Sequence, residues 1–468
     1  MQLQIFNTLT REKEEVNPFN DKYITLYTCG PTVYDYAHIG NFRTYIFEDL
    51  LKRTLKYFGY KVKHVMNLTD IDDKTIKGAL AKGISLDDYT KVYKKAFFED
   101  IDMLNIERAD HYPEATAYIE EMIKIVERLL KEEIAYRGND GSIYFSIEKF
   151  GAYGRLSHLN LDELVAGKRV SHDEYDKENV CDFVLWKSYD PKRDGNIFWE
   201  SPFGKGRPGW HIECSAMSLK LLGDTIDIHC GGVDNIFPHH ENEIAQSESY
   251  TGKQFVRFWA HSEHLIVDNK KMSKSLGNFF TLRNLLDRGY KSDQIRYLLL
   301  SAHYRTQLNF SFQGLDAAKN TLNRVEDFVE RLRNVETHQK SGYAAEAIEK
   351  TEEAFKLALS DDLNISLALA ALFDFVRDLN TLCDNKQISK KEAKEALEFL
   401  EKINKVLGVL PLEKKELVIP DFIKEALLNR EKARLQKDFK KADSFRDIIL
   451  KEGYSIEDTP QGPILKKK

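Results

Sequence analysis

The feature that most constrains the fold is a loop, residues 27–41, between a strand pattern and a helix pattern near the N-terminus. Residues 23–28 predict a strand, and residues 42–57 have the apolar spacing of an amphipathic helix. A second strand predicted at residues 62–66 completes a βαβ unit with parallel strands. Ligands of open α/β sheets bind at the carboxyl ends of strands, where helix N-termini offer free N–H groups. We therefore expect this loop to hold a nucleotide and a metal-bound substrate.

Strands and helices alternate again in the second part of the chain. Strands are predicted at residues 225–229 and 255–260, with a helix that opens at Pro238. Residues 204–209 are rich in Gly and Pro, which predicts a loop. Residues 111–199 differ, because short strand patterns there are separated by polar loops. The sequence thus predicts an α/β fold, a Rossmann-like doubly wound parallel sheet split by an insertion.

The last third of the chain has a different pattern. After residue 292 the apolar spacing predicts helices throughout, which indicates an α-helical domain. Pro411 and Pro420 mark a linker. The tail, residues 421–468, is predicted to be a small separate unit with one basic helix, a stop at Gly453 and a short strand-like end.

Composition limits the classes of function. With 69 basic and 75 acidic residues the net charge is −6. The protein therefore lacks the overall positive charge of proteins that coat nucleic acid, although a local basic patch is compatible with this net charge. Five Cys residues do not suit a disulfide framework and favour a reducing compartment. The N-terminus is charged from the start and no apolar run approaches roughly 18 residues, so we expect a cytoplasmic protein without membrane helices.

Two short motifs carry residue types that bind phosphates. In HIGN, residues 38–41, Gly40 lets a phosphate approach the backbone, while His38 and Asn41 can donate hydrogen bonds. The alternative is a helix capped by Asn41, which is the commoner meaning of these residues alone. In KMSKS, residues 271–275, lysines can neutralise charge on a leaving pyrophosphate, and the alternative is a solvated charged loop. Together the two motifs resemble the signatures of class I aminoacyl-tRNA synthetases.

A third group of residues has metal-ligand chemistry. His239 and Glu243 are four residues apart and share one face of a predicted helix. Taken alone, such a pair is more often a surface pair. Cys29 and Cys214 supply candidate thiolates, and two Cys, one His and one carboxylate would make a plausible zinc set.

Nine motifs carry a closer resemblance. They are TCGPTVYD (28–35), HIGN (38–41), NLTDIDDK (67–74), DFVLWK (182–187), GWHIECS (209–215), GGVD (231–234), FPHHENE (237–243), KMSKS (271–275) and EDTPQG (457–462). Through them the chain resembles the bacterial-type cysteinyl-tRNA synthetases along nearly its whole length. The resemblance implies one Zn²⁺ per chain, held by Cys29, Cys214, His239 and Glu243 and joined by the sulfur of the substrate cysteine.

Zinc in that position would distinguish cysteine from serine by bond type, because it favours a soft thiolate and deprotonates a thiol. The resemblance further implies that Trp210 packs under the substrate, Asp234 takes its ammonium group and Thr69 lines the pocket. The alternatives are a core Trp, a turn Asp and a helix cap. Cys181, Cys230 and Cys383 are expected to be packing residues.

The resemblance also implies the reaction. The cysteine carboxylate attacks the α-phosphorus of ATP, and a ribose hydroxyl of the tRNA then attacks the adenylate. His38, Asn41, Lys271 and Lys274 are the expected catalytic residues, with Mg²⁺ on the phosphates. The expected ATP-binding residues are Thr32, His38, Gly40, Asn41, Gly232 and Lys274.

By the same resemblance the chain divides into five parts. These are a Rossmann-type catalytic domain (1–110 and 200–260), a connective insertion (111–199), the KMSKS loop with a stem-contact region (261–312), a helical-bundle tRNA-binding domain (313–415) and a C-terminal anticodon-binding unit (421–468). The partner is tRNA(Cys), and a monomer is expected. Residues 429–447 carry more Lys and Arg than Asp and Glu, which fits a local phosphate footprint.

Two departures and two rival functions remain. Asn41 stands where many class I enzymes have His, and residues 462–465 read Gly-Pro-Ile-Leu where relatives often place Thr-Thr-Trp.

One rival is a ligase that passes activated cysteine to a small amine, as in the mycothiol pathway, which would need neither the helical region nor the basic tail. The other is a non-catalytic RNA-binding relative, which the intact KMSKS motif and the complete Cys/Cys/His/Glu set disfavour.

Overall fold

The structure, a computed structural model, describes residues 2–19, 22–159, 182–337, 342–413, 419–459 and 462–467. It divides the chain into two compact units, Met1–Pro411 and Leu412–Lys468. Cys181, together with Pro460 and Gln461 of the EDTPQG motif, lies outside the described residues.

The elements alternate between strands and helices in the first two thirds of the chain. The strands are β1 (Gln4–Asn7), β2 (Glu12–Glu15), β3 (Ile24–Thr28), β4 (Val62–Met66), β5 (Ala135–Arg137), β6 (Ile143–Phe145), β7 (Phe183–Ser188), β8 (Gly206–Pro208), β9 (Ile226–Gly232), β10 (Val256–Ser262), β11 (Leu265–Val267), β12 (Lys270–Lys271), β13 (Leu308–Phe310), β14 (Tyr454–Thr459) and β15 (Gly462–Lys467). The helices are α1 (Ile39–Tyr57), α2 (Asp73–Lys82), α3 (Leu86–Met103), α4 (Ile119–Lys131), α5 (Pro191–Asp194), α6 (Trp210–Leu222), α7 (Glu241–Thr251), α8 (Leu282–Asp287), α9 (Ser292–Leu300), α10 (Phe312–Arg333), α11 (Tyr343–Ser360), α12 (Ile365–Asp384), α13 (Lys390–Leu407), α14 (Asp421–Leu435) and α15 (Phe439–Lys451).

The central sheet has four parallel strands in the order β10-β9-β3-β4. All five residues of β3 are buried, as expected for a parallel strand covered on both faces. Cys230 is fully buried on β9, in keeping with a packing residue. The doubly wound parallel sheet expected from the sequence is therefore confirmed, and its carboxyl edge is where β3, β4, β9 and β10 end.

Helix α1 begins at Ile39, three residues before the apolar spacing starts at Phe42. The reason is a capping box in which the His38 side chain accepts from the Asn41 N–H and the Asn41 side chain accepts from the His38 N–H. The helix is buried on opposite sides because it packs against the sheet on one side and against α9 and α13 on the other.

The insertion contributes β5, β6 and β7 to an antiparallel sheet in the order β5-β6-β7-β8, and β8 follows the predicted end of the insertion. Its core includes Phe145, Leu185 and Trp186, which pack with apolar residues of α4 and α6. The predicted loop at 204–209 was wrong, because Gly206–Pro208 forms β8 and pairs with β7. Local composition indicates a loop here, but Arg207 is buried and paired with acidic side chains, which holds the segment in the sheet.

The prediction of helix throughout the region after residue 292 was also wrong at one place. Leu308–Phe310 forms β13, which pairs in parallel with β11, and β12 adds an antiparallel strand on the other side. With only three residues, β13 shows no detectable alternation in the sequence. The N-terminal hairpin of β1 and β2 was missed for the same reason. The helices α10 to α13 form the expected helical domain.

A buried ionic cluster joins the C-terminal end of α13 to α1 and α9. Arg296 of α9 donates to Asp49 of α1 and, at 3.1 Å, to the Leu407 carbonyl at the end of α13. Arg53 pairs with Asp49 at 2.8 Å and donates to the Lys405 carbonyl at 2.9 Å. The two guanidinium groups thus satisfy the carbonyl groups that a helix C-terminus leaves without partners.

The C-terminal unit has two helices and a hairpin. The prediction of one basic helix was wrong, because Lys437 has a φ of 59° and Asp438 caps a new helix, α15. β14 and β15 pair as an antiparallel hairpin. Across the described ranges no helix is long and apolar enough to cross a membrane.

Candidate active site and metal centre

The loops that follow β3 and β4 meet at the carboxyl edge of the sheet. A Cβ on Gly30 would lie 1.8 Å from the carbonyl oxygen of Asn67, so only glycine fits this approach. The Gly30 N–H donates to Asn67 Oδ1 at 3.0 Å, and Thr32 pairs with Thr69 in an isolated parallel bridge. These contacts hold Cys29 beside the loop after β4.

The four predicted metal ligands come together in space. Cys29 follows β3, Cys214 lies on α6, His239 lies in the turn before α7, and Glu243 lies on α7. Their potential ligand atoms all lie within 4.8 Å of one another, and every one of these residues except the half-buried Cys29 is buried. Two sulfurs, one imidazole and one carboxylate form a donor set that suits tetrahedral zinc.

Helix α7 does not open at Pro238, as the sequence analysis expected. Phe237 has extended backbone angles, φ −137° and ψ 130°, and the turn Ile236–His240 precedes the regular helix, which begins at Glu241. His239 is therefore in a turn rather than in the helix. His239 Nε2 nevertheless lies 2.8 Å from Glu243 Oε1, so the two ligands face the same point.

The electrostatics of this cluster differ from ligand to ligand, and the hydrogen bond with Cys214, together with burial, raises the pKa of Cys29 well above its ordinary value. A hydrogen bond with Cys29 lowers the pKa of Cys214 to about 6, and His239 adds to the effect. Burial opposes a charge on His239, but Glu243 and Cys214 outweigh it and raise the pKa of His239 to about 10. Burial likewise opposes a charged Glu243, but His229 and His239 lower its pKa to about 2. Without a metal, a proton on His239 therefore balances the buried negative charge. A bound metal would take the place of that proton, because histidine binds metals in its neutral form.

One atom of the cluster tests the fit of a metal directly. Glu243 Oε1 is buried and, within the part of the chain that the structure describes, has no aligned hydrogen-bond partner, although His239 Nε2 lies 2.8 Å away. Buried carboxylate oxygens are rarely left in this state. A cation shared by Glu243, His239 and the two sulfurs would satisfy it, so the residues fit a metal.

Two further histidines lie within hydrogen-bond distance of the metal ligands. His229 Nε2 lies 2.8 Å from Glu243 Oε2, and His211 Nδ1 lies 2.9 Å from His239 Nδ1. In metal sites such outer hydrogen bonds fix the orientation of the ligands.

A second donor set overlaps the first. Cys29, His229, His240 and Glu243 also have ligand atoms within 4.8 Å of one another. His240 lies 3.4 Å from the Cys29 sulfur through Nε2 and 2.8 Å from His261 through Nδ1. The sequence analysis missed these three histidines. A signal existed for His261, which lies near the carboxyl end of β10, where ligands of such sheets gather, whereas His229 lies in the middle of β9.

Trp210 lies against the metal set, and Thr69 lies on the loop after β4. The Trp210 ring stacks on that of His239, with centroids 4.2 Å apart and planes 25° apart. It is 38% exposed, so it is not a core Trp and offers an open aromatic face next to the ligands. Thr69 is buried on the loop after β4, where its Oγ1 accepts from Asn67 Nδ2 at 3.2 Å.

The HIGN motif lies at the N-terminus of α1. The cap is His38, so the alternative that made Asn41 the cap was wrong, and Asn41 occupies the third helical position. A Cβ on Gly40 would lie 2.9 Å from His38 Nδ1 and 3.2 Å from Met272 Cε of the KMSKS motif. Burial lowers the pKa of His38, which keeps its imidazole neutral near pH 7.

The KMSKS loop folds back over the HIGN motif. Lys274 forms an ion pair with Asp35, and this pair raises the pKa of Lys274. The Asn278 side chain accepts from the Ser273 N–H at 2.9 Å and donates to the Lys271 carbonyl at 3.1 Å, which closes the loop. Lys274 thus pairs with the loop between β3 and α1, whereas Lys271 lies on β12 with an exposed side chain.

Gly232 and Asp234 lie near the HIGN motif rather than in the metal set. A Cβ on Gly232 would lie 2.4 Å from Asp234 Oδ1 and 3.7 Å from Thr44 Oγ1 of α1. The exposed carboxylate of Asp234 acts against the effect of burial on the pKa of His38. Asp234 thus lies close enough to the HIGN motif to act on His38.

Known proteins resemble this chain in family and in fold. The family model described as the class I (C) tRNA synthetase catalytic domain matches residues 15–320, and that of the DALR domain matches residues 354–411. A solved methionyl-tRNA synthetase from Mycobacterium tuberculosis, in complex with methionyl-adenylate, has the same fold: its TM-score is 0.61 at 17% identity, covering 83% of this chain and 92% of that one. The fold and site define a class I aminoacyl-tRNA synthetase.

Curated relatives narrow the class. A cysteine–tRNA ligase from Protochlamydia amoebophila is 58% identical over 468 residues, covering 100% of this chain and 98% of the relative. A cysteine–tRNA ligase from Chlamydia caviae is 58% identical over 469 residues, covering 99% of this chain and 98% of the relative. The chain therefore belongs to the cysteine–tRNA ligase family.

Proposed function

We propose that this chain activates L-cysteine with ATP, transfers it to the 3′ end of tRNA(Cys), and selects cysteine through a Zn²⁺ ion held by Cys29, Cys214, His239 and Glu243. The observation that carries the proposal is the buried cluster of these four side chains beside the exposed Trp210 ring. When bound, zinc supplies an open ligand position that the thiolate of the substrate can take.

Selection by a metal–sulfur bond suits the discrimination that this reaction needs. Cysteine and serine have nearly the same shape, and a pocket that senses shape alone separates such substrates by only about 1–3 kcal/mol. A hydroxyl is harder and far less acidic than a thiol, so serine gains little from the same ligand position. No editing domain is then required.

The chain's own residues hold the rest of the amino acid. Trp210 packs under the bound cysteine, Thr69 lines the pocket, and Asp234 is the proposed acceptor for the ammonium group. The carboxylate is left pointing toward ATP, because Cys29 of the metal set and the HIGN motif lie at the two ends of one loop at the edge of the sheet.

ATP is proposed to bind over the N-terminus of α1. His38, Asn41 and Lys274 stabilise the charge that develops when the carboxylate attacks the α-phosphorus and pyrophosphate leaves, with Lys271 and Mg²⁺ neutralising the phosphates. Thr32, Gly40 and Gly232 are the remaining proposed ATP contacts. A ribose hydroxyl of the tRNA then attacks the adenylate carbonyl and AMP leaves, so positioning and electrostatics do most of the catalysis.

The C-terminal unit is the proposed anticodon-binding part. Arg430 and Arg434 both pair with Asp458, so their charges are partly neutralised. The side chains of Lys437 and Lys440 are exposed to solvent. Exposed lysines of this kind can neutralise RNA phosphates in a salt-dependent way. We propose that the enzyme acts as a monomer in the cytoplasm, which sedimentation and cell fractionation would test.

The test is ATP–pyrophosphate exchange followed by tRNA charging. The proposal expects exchange with cysteine and not with serine, and charging of tRNA(Cys). Exchange with both amino acids would contradict zinc-based selection, whereas cysteine-specific exchange without charging would favour a small-amine acceptor.

The role of the metal has its own test. Cys214→Ser is expected to lose zinc, measured by atomic emission, and to raise the KM for cysteine far more than the KM for ATP. Equal effects on the two KM values would mean that the metal is structural.

A further inference from the structure

Three tyrosine rings lie one after another beside the HIGN motif, and we call them the tyrosine surface: Tyr36, Tyr93 and Tyr89. Tyr36 lies in the loop before α1, and the other two lie on α3. The ring centroids of Tyr36 and Tyr93 are 5.6 Å apart, and those of Tyr93 and Tyr89 are 5.3 Å apart. Both contacts are edge-to-face, an arrangement that aromatic pairs prefer, so each ring orients the next.

The tyrosine surface is anchored to the loop that leads into the HIGN motif. Tyr89 Oη donates to the Tyr34 carbonyl at 2.9 Å. A Cβ on Gly78 of α2 would lie 2.2 Å from the Cζ and Oη atoms of Tyr89, so glycine at this position makes room for the ring. Tyr89 is therefore held against both α2 and the loop, and the other two rings are built on it.

Exposure and charge distinguish this surface from an aromatic core. Tyr36 is 39% exposed, so much of its ring is open to solvent. The Arg283 guanidinium lies 5.3 Å from the centroid of the Tyr36 ring. Lys82 Nζ lies 5.1 Å from the ring centroid of Tyr89 and 5.9 Å from that of Tyr93. Aromatic rings beside cations are typical of surfaces that bind single-stranded nucleic acid, because bases stack on the rings and phosphates meet the cations.

The acidic side chains near this surface have partners of their own. Glu99 pairs with Arg283 at 2.7 Å. Asp87 and Asp88 lie in the first turn of α3, where the helix dipole stabilises negative charge. Lys82 ends α2 and its side chain is exposed. Lys82 is therefore the cation of this surface that can meet a phosphate.

We propose that the tyrosine surface binds the single-stranded 3′ end of the tRNA, with a base stacked on Tyr36 and a backbone phosphate at Lys82. The inference rests on the proposed function, which makes a tRNA the acceptor of the activated cysteine. The terminal ribose must reach the adenylate at the HIGN motif, and Tyr36 lies two residues before His38. Unpaired bases at an RNA end are free to stack on aromatic rings, and such stacking requires no particular base.

The first test separates an aromatic ring from an apolar side chain. Tyr36→Leu removes the ring and Tyr36→Phe keeps it. In tRNA charging, the KM for tRNA(Cys) is expected to rise about tenfold in Tyr36→Leu and to stay within about twofold in Tyr36→Phe, as for the loss or retention of one stacked base. ATP–pyrophosphate exchange, which needs no tRNA, is expected to stay within about twofold in both variants.

Phe19→Leu is the matched control. Phe19 is 66% exposed, and its N–H donates to Asp227 near the amino end of β9, at the opposite edge of the sheet from the HIGN motif. This variant is expected to keep the wild-type KM for tRNA(Cys). A rise in that KM equal to that of Tyr36→Leu, or a Tyr36→Phe variant as weak as Tyr36→Leu, would overturn the inference.

The second test locates the contact on the tRNA. Direct binding of full-length tRNA(Cys) is compared with that of a transcript that lacks the single-stranded 3′ nucleotides. Tyr36→Leu is expected to weaken binding of the full-length tRNA about tenfold and to change binding of the shortened transcript by less than about twofold. Equal losses for the two transcripts would mean that the surface contacts paired RNA, which would overturn the inference.

Lys82→Gln gives an independent readout if Tyr36→Leu does not fold. The slope of log affinity for tRNA(Cys) against log salt is expected to become shallower by about 0.7, as for one phosphate contact on a single strand. An unchanged slope would contradict the phosphate contact at Lys82. If the wild-type enzyme shows no exchange with cysteine, the proposed function itself fails. If it charges tRNA(Cys) and the variants charge it equally well, the tyrosine surface alone is refuted.

Discussion

Gly40→Ala separates the catalytic use of the HIGN motif from its structural use. Gly40 is the second residue of α1, between the cap His38 and Asn41. The added Cβ would lie 2.9 Å from His38 Nδ1 and 3.2 Å from Met272 Cε. Both distances are shorter than ordinary carbon contacts. His38 and the KMSKS loop must therefore move apart from the helix.

The effect on stability is expected to be small because two contributions oppose each other. Alanine in place of glycine stabilises a helix by up to about 1 kcal/mol. Weakening the His38 cap costs about 1 kcal/mol. The free energy of unfolding is thus expected to change by less than about 1 kcal/mol. The effect on catalysis is larger, since moving a catalytic group by about 1 Å can cost on the order of 100-fold, and we expect a loss of tenfold or more.

The assay pairs urea unfolding with ATP–pyrophosphate exchange at saturating cysteine. Gly314→Ala is the matched control: Gly314 follows another helix cap, Ser311, and its Cβ would lie 3.3 Å from Ser311 Oγ and 3.5 Å from Leu298 Cδ1, with no atom of the HIGN or KMSKS motif among these neighbours. The control is expected to keep full exchange activity. Normal exchange in Gly40→Ala would refute the placement of His38 at the phosphates, and a loss of several kcal/mol in stability would refute the cancellation.

Two further predictions concern stability. Burial raises the pKa of Asp100 to about 6, although Arg283 lies nearby. The free energy of unfolding of the wild-type protein is therefore expected to fall by on the order of 1–2 kcal/mol as the pH rises from about 4 to 6. An acid whose pKa is higher in the folded than in the unfolded state favours folding only while it is protonated. Urea unfolding of Asp100→Asn should therefore lack this pH dependence. A pH profile identical to that of wild type would contradict the raised pKa of Asp100. Arg296→Met removes a buried partner of Asp49 and is expected to cost about 3–5 kcal/mol, whereas Arg377→Met, which removes an exposed pair, should cost less than about 1 kcal/mol. Similar losses for the two Arg variants would contradict the importance of burial.

The metal set could be predicted from the sequence because each ligand lies in a motif with unusual chemistry. The four ligands are far apart in the sequence, and only the resemblance to a family predicted that they form one site. The structure places the ligand atoms of Cys29, Cys214, His239 and Glu243 within 4.8 Å of one another. The histidines behind them could not be found in that way. His229, for example, is a single residue within a buried strand, and its bond to Glu243 depends on how β9 and α7 pack.

Elements governed by long-range contacts were the ones that the sequence predicted wrongly. β8 has the Gly- and Pro-rich composition of a loop, but Arg207 is paired with Asp73 and Asp194, which are distant along the chain. β13 is too short to show periodicity and is defined by its pairing with β11. In the C-terminal unit, a left-handed residue, Lys437, divides one predicted helix into two, and its neighbours give no Gly or Pro signal.

The central claim is that the substrate's sulfur binds the metal at Cys29, Cys214, His239 and Glu243. The most direct measurement uses enzyme in which Co²⁺ replaces Zn²⁺, because cobalt reports sulfur ligands through thiolate-to-metal absorption bands. Addition of L-cysteine is predicted to increase this absorption, with no increase for L-serine and none for cysteine added to Cys214→Ser. An unchanged spectrum on saturation of the wild-type protein with cysteine would contradict the account.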